Sequence, residues 1–151
     1  MKSTLTFIGL TCIACGLAGA DAPPPPGSVP LGTILQTIER GGYQAVTEVS
    51  FDDGEWEVEA MKEGSPVGLR IVPSTGEIRS VHPDEPHPAI PDRAKPLTDL
   101  LKSLEGAGYA GITKMELENG GWEVECLKGG LPRELLIDTL SGKVLSDRAD
   151  D

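Results

Sequence analysis

Shifted by 66 residues, the chain matches itself: positions 30–81 align with 96–147 without a gap, and 19 of those 52 pairs are identical. Both tryptophans and both tyrosines of the chain fall in matched places, Trp56 with Trp122 and Tyr43 with Tyr109. So strict a register means that one structural unit is present twice, and each feature is judged by what both copies keep. A unit of 52 residues buries too little surface to be comfortably stable alone. The two copies are therefore expected to pack together, or to join their sheets side by side.

Each copy opens with apolar residues at helical spacing: Leu31, Ile34, Leu35 and Ile38, then Leu97, Leu100, Leu101 and Leu104. Proline at the first helical position (Pro30, Pro96) and glycine after the last turn (Gly41 and Gly42; Gly106 and Gly108) bracket one amphipathic helix of about three turns. After the tyrosine the period becomes two, with Thr47, Val49 and Phe51, or Thr113, Met115 and Leu117, on one face. The turn signals "DDG" and "NGG" reverse the chain into a second strand carrying Trp56, Val58 and Ala60, or Trp122, Val124 and Cys126. A third strand follows "KEGSP" or "KGGLP", and a short fourth follows "PSTG" or "TLSG". The fold class expected is α+β: two tandem repeats, each one N-terminal helix packed on a three- to four-stranded antiparallel β-meander.

The leading residues read differently. Lys2, then the apolar run "LTFIGLTCIACGLAGA", predicts a secretory signal peptide over 1–20, cleaved after Ala20 and leading to a secreted or periplasmic protein. A lipoprotein start at Cys15 is disfavoured, because the position three before it would be Cys12 rather than a branched apolar residue. Residues 21–29, with "PPPP", read as a polyproline spacer. The linker 82–95 has four prolines in 14 residues and should be extended and stiff; residues 148–151 form a tail. Past the leader no apolar run approaches the roughly 20 residues that span a bilayer. Removing the leader leaves Cys126 as the single cysteine, so no internal disulfide is expected. It also leaves 12 basic against 24 acidic side chains, a field that repels nucleic acid and anionic lipid.

Strand parity sorts the candidate residues into two layers. Trp56, Val58, Trp122 and Val124 are assigned to the core beneath the helices, each indole needing one partner for its N–H. Cys126 stands where the other copy has Ala60 and reads as a small core residue. Glu57, Glu59, Glu123 and Glu125 fall on the opposite face. Met61, Val72 and Val46 are placed there with them in the first copy, and Leu127, Leu136, Leu145 and Ile112 in the second. Carboxylates mixed with aliphatics resemble a protein-docking surface more than a plain solvated one. "DDGE" and "ENGG" lack the alternating oxygen ligands of a calcium loop. His82 and His87, with Asp84 and Glu85, make a poor metal set in the linker. With no nucleophile elbow, glycine-rich phosphate loop, HExxH or histidine inside either unit, no enzyme, metal or cofactor is expected.

The order of helix, "GY", "DDGEWEVEA" and "PSTGEI" in the first copy, and "GY", "NGGWEVEC" and "LSGKV" in the second, resembles the PepSY domain. The aspartate-proline usual before that family's last turn is replaced by Val72-Pro73 and by Asp138-Thr139. The resemblance covers nearly all of the chain after the leader. It implies a non-catalytic binding or inhibitory module, with an unknown protein partner that is a secreted or envelope peptidase. Two other readings stay open: a cation-binding envelope protein using the carboxylate face or the linker histidines, and a structural module without a ligand.

Overall fold

The computed structural model describes residues 22–150. The expected signal peptide, its cleavage after Ala20, and Cys12 and Cys15 lie outside the described residues. Helix α1 (Leu31–Arg40) is followed by strands β1 (Tyr43–Asp52), β2 (Glu55–Lys62), β3 (Ser65–Ile71) and β4 (Ile78–Pro83). Helix α2 (Leu97–Gly106) precedes β5 (Tyr109–Glu118), β6 (Gly121–Lys128), β7 (Leu131–Asp138) and β8 (Val144–Ala149). All strands join one antiparallel eight-stranded sheet, ordered β4-β3-β2-β1-β5-β6-β7-β8. Both final strands run past the repeat ends read from sequence. Pro30 and Pro96 are not the first helical residues but stand one before them, in extended backbone without a side-chain capping bond.

Val49 pairs with Met115, its own equivalent in the other copy, flanked by Glu48 with Glu116 and Ser50 with Lys114. A strand pairing centred on equivalent residues is what a local two-fold axis through the sheet produces. The halves also share one apolar layer, in which Ile34, Leu35 and Ile38 of α1 cluster with Leu100, Leu101 and Leu104 of α2. Trp56, Val58, Trp122 and Val124 all lie in it, each no more than 2% exposed. Neither indole N–H has a hydrogen-bond partner among the described residues, contrary to the partner expected for each.

The hairpin turns at Asp53-Gly54 and Asn119-Gly120 have positive φ at both central residues, the geometry that matches the twist of a tight hairpin. A second pair of left-handed residues changes the face assignment. Ala45 (φ 49°) and its equivalent Gly111 (φ 54°) sit where the pairing register breaks, between Gln44 and Glu48 and between Ala110 and Lys114. From Gln44 to Glu48 the strand advances four residues while its partner advances two, from Met61 to Glu59, and the second copy does the same; the two extra residues break the alternation locally. Val46 therefore packs against the core, and Ile112 is buried within it, rather than on the glutamate face. The bulge of each copy reaches the other copy's tryptophan. Trp56 and Leu101 line one cavity with Gly111 and Ile112, while Trp122 and Leu35 line another with Ala45 and Val46.

The chain enters both helices in the same way: Val29 N–H donates to Pro73 C=O and Lys95 N–H to Thr139 C=O, each at 2.8 Å. Between the halves, Asp84 N–H donates to Pro66 C=O at 3.1 Å, and Ile90 packs on the core. The linker is thus tied to the sheet along its course.

Candidate functional site

With tryptophan and valine directed inward, the alternate residues of β2 and β6 form the outer face, opposite the helices. Glu57, Glu59, Glu123 and Glu125 are half-buried there, as are Met61 and Leu127. Val72 is not on a strand; it sits in the turn after β3, where its N–H donates to Glu77 C=O and its C=O accepts from Gly76 N–H. Leu136 is 37% exposed and Leu145 63%.

Four carboxylates line up across the middle of this face, because Glu59 pairs with Glu48, Glu48 with Glu116, and Glu116 with Glu123. Like charges directly opposite on neighbouring strands repel. Burial first, then Glu59 and Glu116, push the Glu48 carboxyl above its ordinary value. Burial and then Glu118, Glu134 and Glu116 do the same to Glu123. Lys114 relieves part of the row through an ion pair to Glu116 at 2.5 Å, and that contact raises the lysine's own pKa.

The two halves of the face differ at three equivalent positions. In the first copy Glu55 accepts from Arg79 and faces Arg70 at 3.7 Å, and Arg70 also holds Glu57 at 2.5 Å. In the second, the residues equivalent to Glu55, Arg70 and Arg79 are Gly121, Leu136 and Leu145. At the positions of one copy's ion-pair cluster the other carries a glycine and two leucines, and a Cβ on Gly121 would stand 2.9 Å from Leu136 Cδ1. Parity identified Leu136 as an outer-face residue. The contrast itself lay in the positions where the copies disagree, which a search for shared residues passes over.

A second cluster lies where the linker meets the first copy. His87 Nδ1 is 3.1 Å from Glu59 Oε2, with the imidazole side chain only 5% exposed, and its Nε2 has no hydrogen-bond partner among the described residues. Asp84 completes a group whose ligand atoms all lie within 4.8 Å of one another. His82 belongs to the same neighbourhood: its ring fills the space above Gly68 and lines a cavity of about 150 Å³ with Glu48, Glu57, Glu59 and Asp84. Glu85, expected beside the histidines, is not in this group. The sequence reading missed it because Glu59 comes from β2, far from the linker in the chain.

Cys126 is 4% exposed, and its thiol is pushed up to about 11, first by burial and then by Asp147. At neutral pH it is a protonated core residue rather than a nucleophile. No helix among the described residues is long and apolar enough to cross a membrane.

The sequence profile of the peptidase propeptide and YPEB domain, a PepSY family, matches residues 3–81 and 88–148. No curated protein matches the chain. A solved structure described as a candidate lipoprotein from Clostridium difficile 630 is similar at 9% identity and a TM-score of 0.47, covering 83% of this chain and 96% of that one.

Proposed function

The chain belongs to the peptidase propeptide and YPEB domain family, and on that footing we propose that it is an exported, non-catalytic protein-binding module that restrains a secreted or envelope peptidase. One observation carries the reading. Where the first copy covers its outer face with Glu55, Arg70 and Arg79 in ion pairs, the second presents Leu136 and Leu145 to solvent. Apolar side chains grouped on a sheet face and rimmed by carboxylates suit a partner that brings its own apolar anchors and basic residues. Leu136 and Leu145 would supply burial, and Glu123 and Glu125 orientation and encounter rate, Glu134 being held by Arg148. Glu57, Glu59 and Met61 belong to the half of the face that the linker approaches, and Leu127 lies opposite Pro132, farther along β6 from Leu136; these residues form the margin of the docking surface.

The test is direct inhibition. Peptidase activity secreted by the source organism is measured on casein with increasing amounts of the full chain, then with Leu136→Asp, Leu145→Asp and the double variant Met61→Asp with Leu127→Asp. Slowed hydrolysis that is relieved by the leucine variants, with circular dichroism unchanged, is expected. No slowing by the parent, or equal slowing by all variants, overturns the proposal.

A further inference from the structure

We propose that Glu59, Asp84 and His87 form a binding site for a divalent transition-metal ion of the Zn²⁺ type, which clamps the inter-repeat linker onto the sheet. The proposal is independent of any protein partner. Acidic clusters on a sheet face are ordinary; the buried imidazole is not. Its side chain is 5% exposed, and Nε2 is sealed from solvent without a hydrogen-bond partner among the described residues. The ring enters the cluster through Nδ1, 3.1 Å from Glu59 Oε2, and a cation held by Nδ1 and the two carboxylates would use that buried nitrogen as a ligand.

The backbone holds the three groups ready. Asp84 is fixed by its own N–H on Pro66 C=O at 3.1 Å. Its Oδ1 accepts from Glu85 N–H at 2.8 Å, which orients the carboxylate and leaves the other oxygen for a metal. Ligand atoms around tetrahedral zinc, at about 2.1 Å from the ion, stand roughly 3.4 Å apart. A group already within 4.8 Å reaches that spacing by small side-chain rotations. One imidazole with two carboxylates suits a borderline ion, whereas Ca²⁺ and Mg²⁺ require six or more oxygen ligands. Because Asp84 and His87 belong to the linker and Glu59 to β2, an ion held by all three would fix the path between the two copies.

Isothermal titration of the full chain with ZnCl₂ tests this. A single ion per chain is expected, and Glu59→Gln, His87→Gln and Asp84→Asn should each weaken binding by at least roughly tenfold, since loss of even an outer-shell partner has that effect. Glu125→Gln, at the position equivalent to Glu59 in the second copy, should bind as the parent does. Absence of binding at millimolar Zn²⁺, undiminished binding in the ligand variants, an equal loss in Glu125→Gln, or tighter binding of Ca²⁺ or Mg²⁺ overturns the assignment. Circular dichroism confirms that each variant is folded, and Asp84→Asn keeps the test decisive should His87→Gln fail to fold.

Discussion

Replacing either Trp56 or Trp122 by phenylalanine gives a protein with one tryptophan, and each such protein should unfold as a single unit. The substitution removes roughly 50 Å² of buried ring, about 1.2 kcal/mol at 25 cal/mol per Å². It also removes an indole N–H that has no partner among the described residues, relieving about 1–3 kcal/mol of desolvation. These effects nearly offset, so the phenylalanine variants should stay within about 1 kcal/mol of the parent. Trp56→Ala leaves a cavity and should cost about 3–5 kcal/mol, a large share of the roughly 5–15 kcal/mol that holds a typical domain. In each single-tryptophan variant the remaining fluorescence reports on its own half and far-UV circular dichroism on the whole sheet. One apolar cluster spans both helices and both indoles, and the halves are joined through the β1–β5 pairing. The two signals should therefore trace the same urea curve. Separate midpoints would refute the shared core, and a phenylalanine variant as unstable as the alanine variant would refute the unpaired N–H.

Two titration predictions follow from the surface carboxylates. Glu48→Gln should stabilise the protein near neutral pH by about 0.5 kcal/mol, the scale of one opposed like-charge pair on a sheet. The folded Glu48 pKa is raised above 4.5, so its favourable protonated state is fully present below that value and lost as pH rises through the folded pKa; urea melts in EDTA should show the variant's advantage vanish in acid. Tyr109→Phe should act with the opposite pH sense. Tyr109 Oη donates to Asp147 at 2.7 Å, and this bond first, then Arg133, lowers the Asp147 pKa below 3.8. The stabilisation is present above the ordinary carboxylate value and lost as pH falls through the lowered one, so thermal melts should show the variant weaker at neutral pH and equal to the parent in strong acid.

Gapless duplication and the change of period from helix to strand made most of the elements legible. Trp56, Val58, Trp122 and Val124 were placed by alternation alone, and they are buried because alternation is what a half-covered sheet imposes. The same rule misplaced Val46 and Ile112, since it holds only while the strand is regular. Gly111 carried the signal for the break, as glycine inside a strand pattern often marks a bulge. Its partner Ala45 did not, because alanine's left-handed backbone there is set by the pairing on either side. The edge along which the sheets join was not readable either. Pairing of β1 with β5 uses backbone groups that every residue carries. Likewise, nothing local in "HPDEPHPAI" indicates that His87 comes to rest on Glu59.

What the copies keep and what they change separates structure from use. Identical residues recur where the backbone or core leaves no choice, as at Gly54 and Gly120 in the turns or Leu69 and Leu135 under the helices. On the outer face Glu57 and Glu59 recur as Glu123 and Glu125, while their surroundings change from Glu55, Arg70 and Arg79 to Gly121, Leu136 and Leu145. Exposed ion pairs contribute only about 0–1 kcal/mol, so folding alone would scarcely distinguish the two arrangements, and solubility favours the charged one. Rebuilding the first copy's cluster in the second by combining Gly121→Glu, Leu136→Arg and Leu145→Arg should therefore leave the urea midpoint nearly unchanged. The triple change is sterically consistent, because Leu136 is the side chain a Cβ at Gly121 would meet first, and it is replaced in the same protein. If the leucines are the docking surface, this folded variant should no longer slow casein hydrolysis by the target peptidase. Persistence of inhibition at the parent's level would show that the apolar patch is not what the partner reads.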